Sequence, residues 1–305
     1  MNALSIERIP ELNDPVLIVA FAGWNDAGSA ATHATQFLIK RLQAQRFAKI
    51  DPEEFYNFSE VRPHVRLRDG LYREIRWPAN EFFASSVEQL KRSMVLGLGI
   101  EPHLRWKAYS AACLDVAKQC GVRLVITLGA LLADVAYSRP VRVVGFSSDP
   151  DIATQLQLTP SRYEGPTGIV GVLNDACRQA GLTSISFWAN VPHYISASPN
   201  PKAALALVSR LESFLHFALD TTELVTGAAE LDAQVAKAIA ENPNLAAYVK
   251  RLEEQEQEEG LETETAAQDK AGNGHGNGNG HANGKDMAEE LQRFLQQRKD
   301  RKDDE

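Results

Sequence analysis

The sequence predicts an α/β protein, with a largely parallel or mixed sheet covered by helices, then a C-terminal helical extension and a disordered tail. Three observations lead there. Strand-like and helix-like segments alternate up to about residue 220, the signature of βαβ units. The apolar run Val16-Leu17-Ile18-Val19-Ala20-Phe21 suits a strand buried on both faces, and a glycine-bearing turn carries it into helical spacing at Ala30, Ala34, Phe37 and Leu38. Past residue 220 the chain becomes helical, then acidic, then a tract of Gly, Asn and His.

The elements follow in order. After the first strand and helix, Phe47 to Ile50 is a short strand candidate. Val65 to Arg68 and Leu71 to Ile75 flank Asp69-Gly70, a pair favoured in tight hairpins, and predict an antiparallel excursion from the main sheet. Met94 to Gly97 reads as a buried strand, and Leu104, Ala108, Ala112 and Val116 as one face of the helix after it. Val122 to Leu128 and Val141 to Phe146 are strands, with a loop from Ala130 to Pro140 between them. Gly168 to Ala180 predicts a helix, Ser184 to Ala189 a strand, and Pro201 to Leu219 a long helix with proline at its start.

Residues 1–222 are therefore assigned to the α/β core. Residues 223–255 form a helical hairpin interrupted at Asn242-Pro243-Asn244, with Leu231, Val235 and Ile239 on one face and Leu245, Tyr248, Val249 and Leu252 on the next; it should dock on the body or on a neighbouring subunit. Residues 256–286 read as an acidic and Gly/Asn/His-rich flexible linker, because such a composition buries too little apolar surface to fold. Within 287–305, Met287, Leu291, Phe294 and Leu295 recur at helical spacing among charged residues and predict a short amphipathic helix, either a docking peptide or a frayed tail.

Composition narrows the partners. With 44% hydrophobic residues the chain can bury a sizeable core, while a formal net charge of −8 argues against nucleic acid or an anionic membrane as the main partner. No apolar run approaches the about 20 residues that span a bilayer. Cys113, Cys120 and Cys177 are odd in number and unpaired in spacing, which predicts reduced thiols and a cytoplasmic protein without a signal sequence.

Motifs for phosphate loops, zinc proteases and serine nucleophile turns are absent from the sequence. Its histidines show no ligand spacing, so neither metal nor cofactor is expected. What remains are polar clusters in loops after strands. They are Asn25 and Asp26 in the turn Gly23-Trp24-Asn25-Asp26-Ala27-Gly28, Glu101 with His103 and Arg105 (Trp106 packing beneath), Asp134 with Ser138 and Arg139, Tyr163-Glu164 with Thr167, and His193 with Tyr194. Strand ends are where open α/β sheets bind ligands. The plainer alternative is that Gly23 and Gly28 supply backbone freedom, Asp26 caps the helix, and Arg105 pairs with Glu101 one turn away.

Five motifs occur in a fixed order: Gly-Trp-Asn-Asp-Ala-Gly (Gly23 to Gly28), Arg-Pro-x-Val-Arg-Leu-x-Asp-Gly (Arg62 to Gly70), Gly-Ile-Glu-Pro-x-Leu-Arg-Trp (Gly99 to Trp106), Tyr-Glu-Gly-Pro-Thr-Gly (Tyr163 to Gly168) and Trp-Ala-x-Val-Pro-His-Tyr (Trp188 to Tyr194). Together they resemble the proteasome assembly chaperone 2 family in its actinobacterial form, from the first strand to about residue 200. The resemblance implies a three-layer α/β/α core of phosphorylase/hydrolase-like type and a homo-oligomer, a trimer. It also implies a non-enzymatic chaperone or adaptor that contacts a protein partner, the proteasome or a similar complex. The ending Lys302-Asp303-Asp304-Glu305 departs from the hydrophobic-Tyr-x terminus of partners that dock in proteasome α-ring pockets, which points contact toward the α/β surface or the Met287 to Leu295 segment. The rival expectation is an enzyme of the phosphorylase or hydrolase type acting on a nucleoside-like molecule, with Asn25, Asp26, Glu101, Arg105 and Glu164 lining its pocket.

Overall fold

The computed structural model describes residues 3–68, 72–85, 92–156, 158 and 163–268. Strand β1 (Leu4–Ile6) precedes β2 (Val16–Ala22), a short turn of 3-10 helix, and α1 (Ala30–Arg41). Next come β3 (Gln45–Ile50), β4 (His64–Arg68), β5 (Tyr72–Arg76), β6 (Asn80–Ser85) and β7 (Met94–Ile100), then α2 (Trp106–Gln119). The second half runs β8 (Leu124–Ala133), β9 (Val143–Ser147), α3 (Pro150–Gln155), α4 (Ile169–Gln179), β10 (Thr183–Pro192) and α5 (Pro201–Leu215). It ends with α6 (Thr222–Ala240) and α7 (Pro243–Gln268).

Eight strands form one mixed sheet in the order β1-β3-β6-β7-β2-β8-β10-β9. The central four, β7, β2, β8 and β10, are parallel, and the flanking strands join antiparallel. Side chains alternate across β2. Val16, Ile18 and Ala20 join the core under α1 and α5, whereas Leu17, Val19 and Phe21 join the core under α2 and α4. That two-sided burial is why β2 reads as an unbroken apolar run and not as alternation. A separate two-stranded ribbon, β4 with β5, pairs His64 with Arg76 and Arg68 with Tyr72. The turn residues Asp69 and Gly70, and Leu71 beside them, lie outside the described residues, as do the 272–284 tract and the Met287 to Leu295 segment.

Several expectations need correction. The loop expected from Ala130 is strand as far as Ala133, because β10 continues beside it until Pro192 pairs with Ala133. The helix after β7 begins at Trp106, preceded by Arg105 in a left-handed conformation at φ 55°. Its inward face is thereby rotated to Tyr109, Ala112, Cys113, Val116 and Ala117; Ala108 is exposed, and Leu104 lies before the helix and is exposed as well. Three short elements, β1, β6 and α3, were not anticipated, each being too short to display a period.

The C-terminal helices dock on their own body. Leu231, Val235, Ala238 and Ile239 of α6 and Leu245, Val249 and Leu252 of α7 share a cluster with Ala136, Tyr194 and Ile195. Helix α7 continues through the glutamate run to Gln268, beyond residue 255 where the linker was expected to start. Glutamate is a good helix former, so the acidic stretch can extend a helix that is already nucleated by packing.

Candidate functional site

The turn after β2 sits at the carboxyl ends of the parallel strands. Gly23, at φ 132°, turns the chain where few side chains are tolerated, and a Cβ there would lie 3.1 Å from Glu101 Cβ. The next three residues part ways. Trp24 stands 67% exposed, whereas Asn25 is buried, its carbonyl accepting from Ala130 N at 2.8 Å. Asp26 is buried against the start of α1, where Oδ1 accepts from Ala31 N at 2.7 Å and Oδ2 from the Thr32 hydroxyl at 2.5 Å. Burial pushes its carboxyl pKa up, partly opposed by these bonds. Asp26 is therefore a helix cap, as the plainer alternative held.

Glu101 ties the region together. Its Oε1 accepts from Asn25 Nδ2 and from Ile169 N, each at 2.8 Å, and its Oε2 accepts from Trp24 N at 3.3 Å. One carboxylate thus holds the end of β7, the turn after β2 and the N-terminus of α4, where the helix dipole favours negative charge. Only glycine fits at Gly168: a Cβ there would fall 2.3 Å from Asn25 Nδ2 and 2.7 Å from Glu101 Oε1. Gly168 is a member of the joint that residue-by-residue reading missed, although it closes the Tyr163 to Gly168 motif. A second missed tie is Asn80, whose Oδ1 accepts from Ile100 N at 3.0 Å and whose amide reaches the Tyr56 hydroxyl.

The other candidates scatter. Arg105 does not pair with Glu101; its left-handed backbone turns it outward to an ion pair with Glu54. Trp106 Nε1 donates to Pro102 O at 2.5 Å. Glu164 and Thr167 are exposed, and Gly28, at φ 58°, packs against Asn200. Trp24, Glu101 and Trp106 line an open recess of about 540 Å³ with Gly23, His103 and Leu104. A neighbouring recess of about 440 Å³ lies across β7, lined by Ser29, Thr32, His33 and Ser198. Asn25, Asp26, Glu101, Arg105 and Glu164 do not face one crevice.

Two further clusters serve the fold. His193 Nδ1 lies 3.0 Å from Asp134 Oδ1, which also accepts from the Tyr248 hydroxyl, while Glu256 accepts from Ala136 N, so this group fastens α7 to the body. Ser138 bonds Glu253 from the same loop. The three cysteines are free and buried, and burial pushes the Cys120 and Cys177 thiols up to about 11 and Cys113 higher still. They remain protonated and poorly nucleophilic near neutral pH. Among the described residues no group of acidic, His and Cys side chains could hold a metal ion, and no helix is long and apolar enough to cross a membrane.

The PAC2 family profile matches residues 20–239. A PAC2 family protein from Streptomyces avermitilis is 43% identical over 77% of this chain and 100% of its own, with a TM-score of 0.72. A proteasome-assembly chaperone homologue from Mycobacterium tuberculosis is 41% identical over 77% of this chain and 99% of its own, at 0.71. An archaeal proteasome activator from Pyrococcus furiosus shares the fold at 20% identity, covering 77% of this chain and 97% of its own, at 0.63. No curated protein matches the chain.

Proposed function

This chain belongs to the PAC2 family, and from that premise we propose that it is a non-enzymatic assembly chaperone or adaptor acting through contacts with the proteasome or a similar complex. The observation that carries the reading is how the strand-end loops spend their polar groups. Glu101 is committed to three internal donors and Asp26 to the α1 cap, so neither is poised as an acid, base or nucleophile. Outward these loops offer two large apolar side chains beside Arg105: Trp24 and Leu104, 67% and 54% exposed, rim the recess above Glu101. A large aromatic on a locked turn is a low-entropy contact residue of the kind that anchors protein interfaces.

The proposal extends to a cytoplasmic protein that self-associates as a trimer, with the three-layer core of phosphorylase/hydrolase-like type and neither nucleic acid nor membrane as its main partner. The contact surface is assigned to the loops bearing Gly23, Trp24, Arg105 and Trp106, with the Met287 to Leu295 segment as a tethered second contact.

Affinity purification of the full-length tagged chain from its native cytosol, with crosslinking at low salt, tests it. Proteasome subunits should be recovered with the wild-type chain and depleted with Trp24→Asp. Their repeated absence from the wild-type preparation would defeat the reading.

A further inference from the structure

Between Arg62 and Arg76 the sequence carries five arginines against Asp69 and Glu74, and the structure places four of the arginines, all but Arg62, on the β4–β5 ribbon. Every residue of β4 and β5 is exposed. The register places Val65, Leu67, Arg73 and Ile75 on one face, and His64, Arg66, Arg68 and Arg76 with the single acid Glu74 on the other. Among the described residues none of the five arginines forms an ion pair. An isolated two-stranded ribbon is marginal in water and needs a further strand or a helix against it.

The same chain holds a helix of opposite charge. Glu254 and Glu258 lie four residues apart along α7, on one helical face, and both are exposed. Successive same-face residues on a strand are about 6.7 Å apart, and residues four apart on a helix rise about 6 Å. Arg66 and Arg68 therefore keep step with the two glutamates. We infer that the β4–β5 ribbon of one copy lies along the acidic α7 of a second copy. The interface is heterologous, ribbon to helix, so repeating it generates a ring if the rotation closes. The inference rests on the self-association proposed above and is independent of any proteasome contact.

Charge reversal of the full-length chain tests it, read by light scattering coupled to size exclusion. The wild-type chain should run as an oligomer that dissociates as salt rises. Arg66→Glu with Arg68→Glu should weaken self-association about a hundredfold, and Glu254→Lys with Glu258→Lys should do the same. Combining both sets in one chain should restore the native mass. Circular dichroism and the melting midpoint should stay unchanged in the ribbon variant, because among the described residues the Arg66 and Arg68 side chains form no hydrogen bond or ion pair within their own copy. A wild-type oligomer that is indifferent to ribbon reversal, or a combined variant that stays dissociated, overturns the ribbon's role alone; a monomeric wild-type chain overturns self-association as well. Binding of the wild-type chain to phosphatidylglycerol vesicles, abolished by ribbon reversal while the oligomer persists, would assign the arginines to lipid and overturn the inference.

Discussion

The joint around Glu101 and the ribbon of β4 and β5 use charge in opposite ways. At the joint a single carboxylate is consumed by donors from two other elements, and the neighbouring glycine leaves no spare volume. On the ribbon several arginines are exposed on the face opposite Val65, Leu67 and Ile75, which are themselves exposed. The first arrangement fixes the shape of one molecule. The second is the one we assign to contact with another copy. The family motifs cover both regions, so a motif by itself does not say whether its residues hold the fold or meet a partner.

Four perturbations should separate the regions by size of effect. Glu101→Ala should be the most damaging, costing about 3 kcal/mol in urea unfolding, since it leaves the Asn25 amide and the Ile169 N–H without their acceptor in a largely buried place. Gly168→Ala should follow at about 2 kcal/mol, because its Cβ has to displace Asn25 or Glu101. If Gly168→Ala proved neutral, the joint would be looser than its contacts state.

Asp26→Ala should cost about 1 kcal/mol as a lost helix cap, and it carries a pH signature. Burial raises the folded carboxyl pKa above its ordinary 3.8, so folding disfavours the ionised form. The contribution of this group is therefore most favourable below 3.8 and is lost as pH rises through the raised folded value. The stability difference between wild type and Asp26→Ala, measured by denaturant titration at several pH values, should narrow over that window; a difference that widens would contradict the burial argument. Smallest of all, Trp24→Ala should shift unfolding by less than about 0.5 kcal/mol while still depleting captured partner. A large loss of stability would move Trp24 from the contact surface into the joint.

Much of this was legible in the sequence. The Val16 to Phe21 run, the helical spacing of α1 and the 3.6-residue rhythm of Leu231, Val235 and Ile239 announced buried elements, because burial on a regular element imprints a local period. The phase of α2 was misread because a single left-handed residue, Arg105, delays the helix start and turns its face. Strand β6 escaped notice since Asn-Glu-Phe-Phe-Ala-Ser neither alternates in polarity nor forms a long apolar run, and it borrows its stability from β3 and β7 on either side. Of the site, the turn was recognised but its partners were not, and the expected Glu101–Arg105 pair gave way to Glu101–Asn25 and Arg105–Glu54.

By itself, then, the sequence determined the alternating α/β plan, the family motifs and the acidic extension, all of which are properties of residues close together in the chain. Only the tertiary structure decided that Glu101 meets Asn25 from 76 residues away and Ile169 from 68, that Asp26 faces α1, and that the arginine ribbon stands alone. Local periodicity records how deeply a segment is buried. Which polar groups satisfy one another depends on which strands come to lie side by side, and no local pattern carries that.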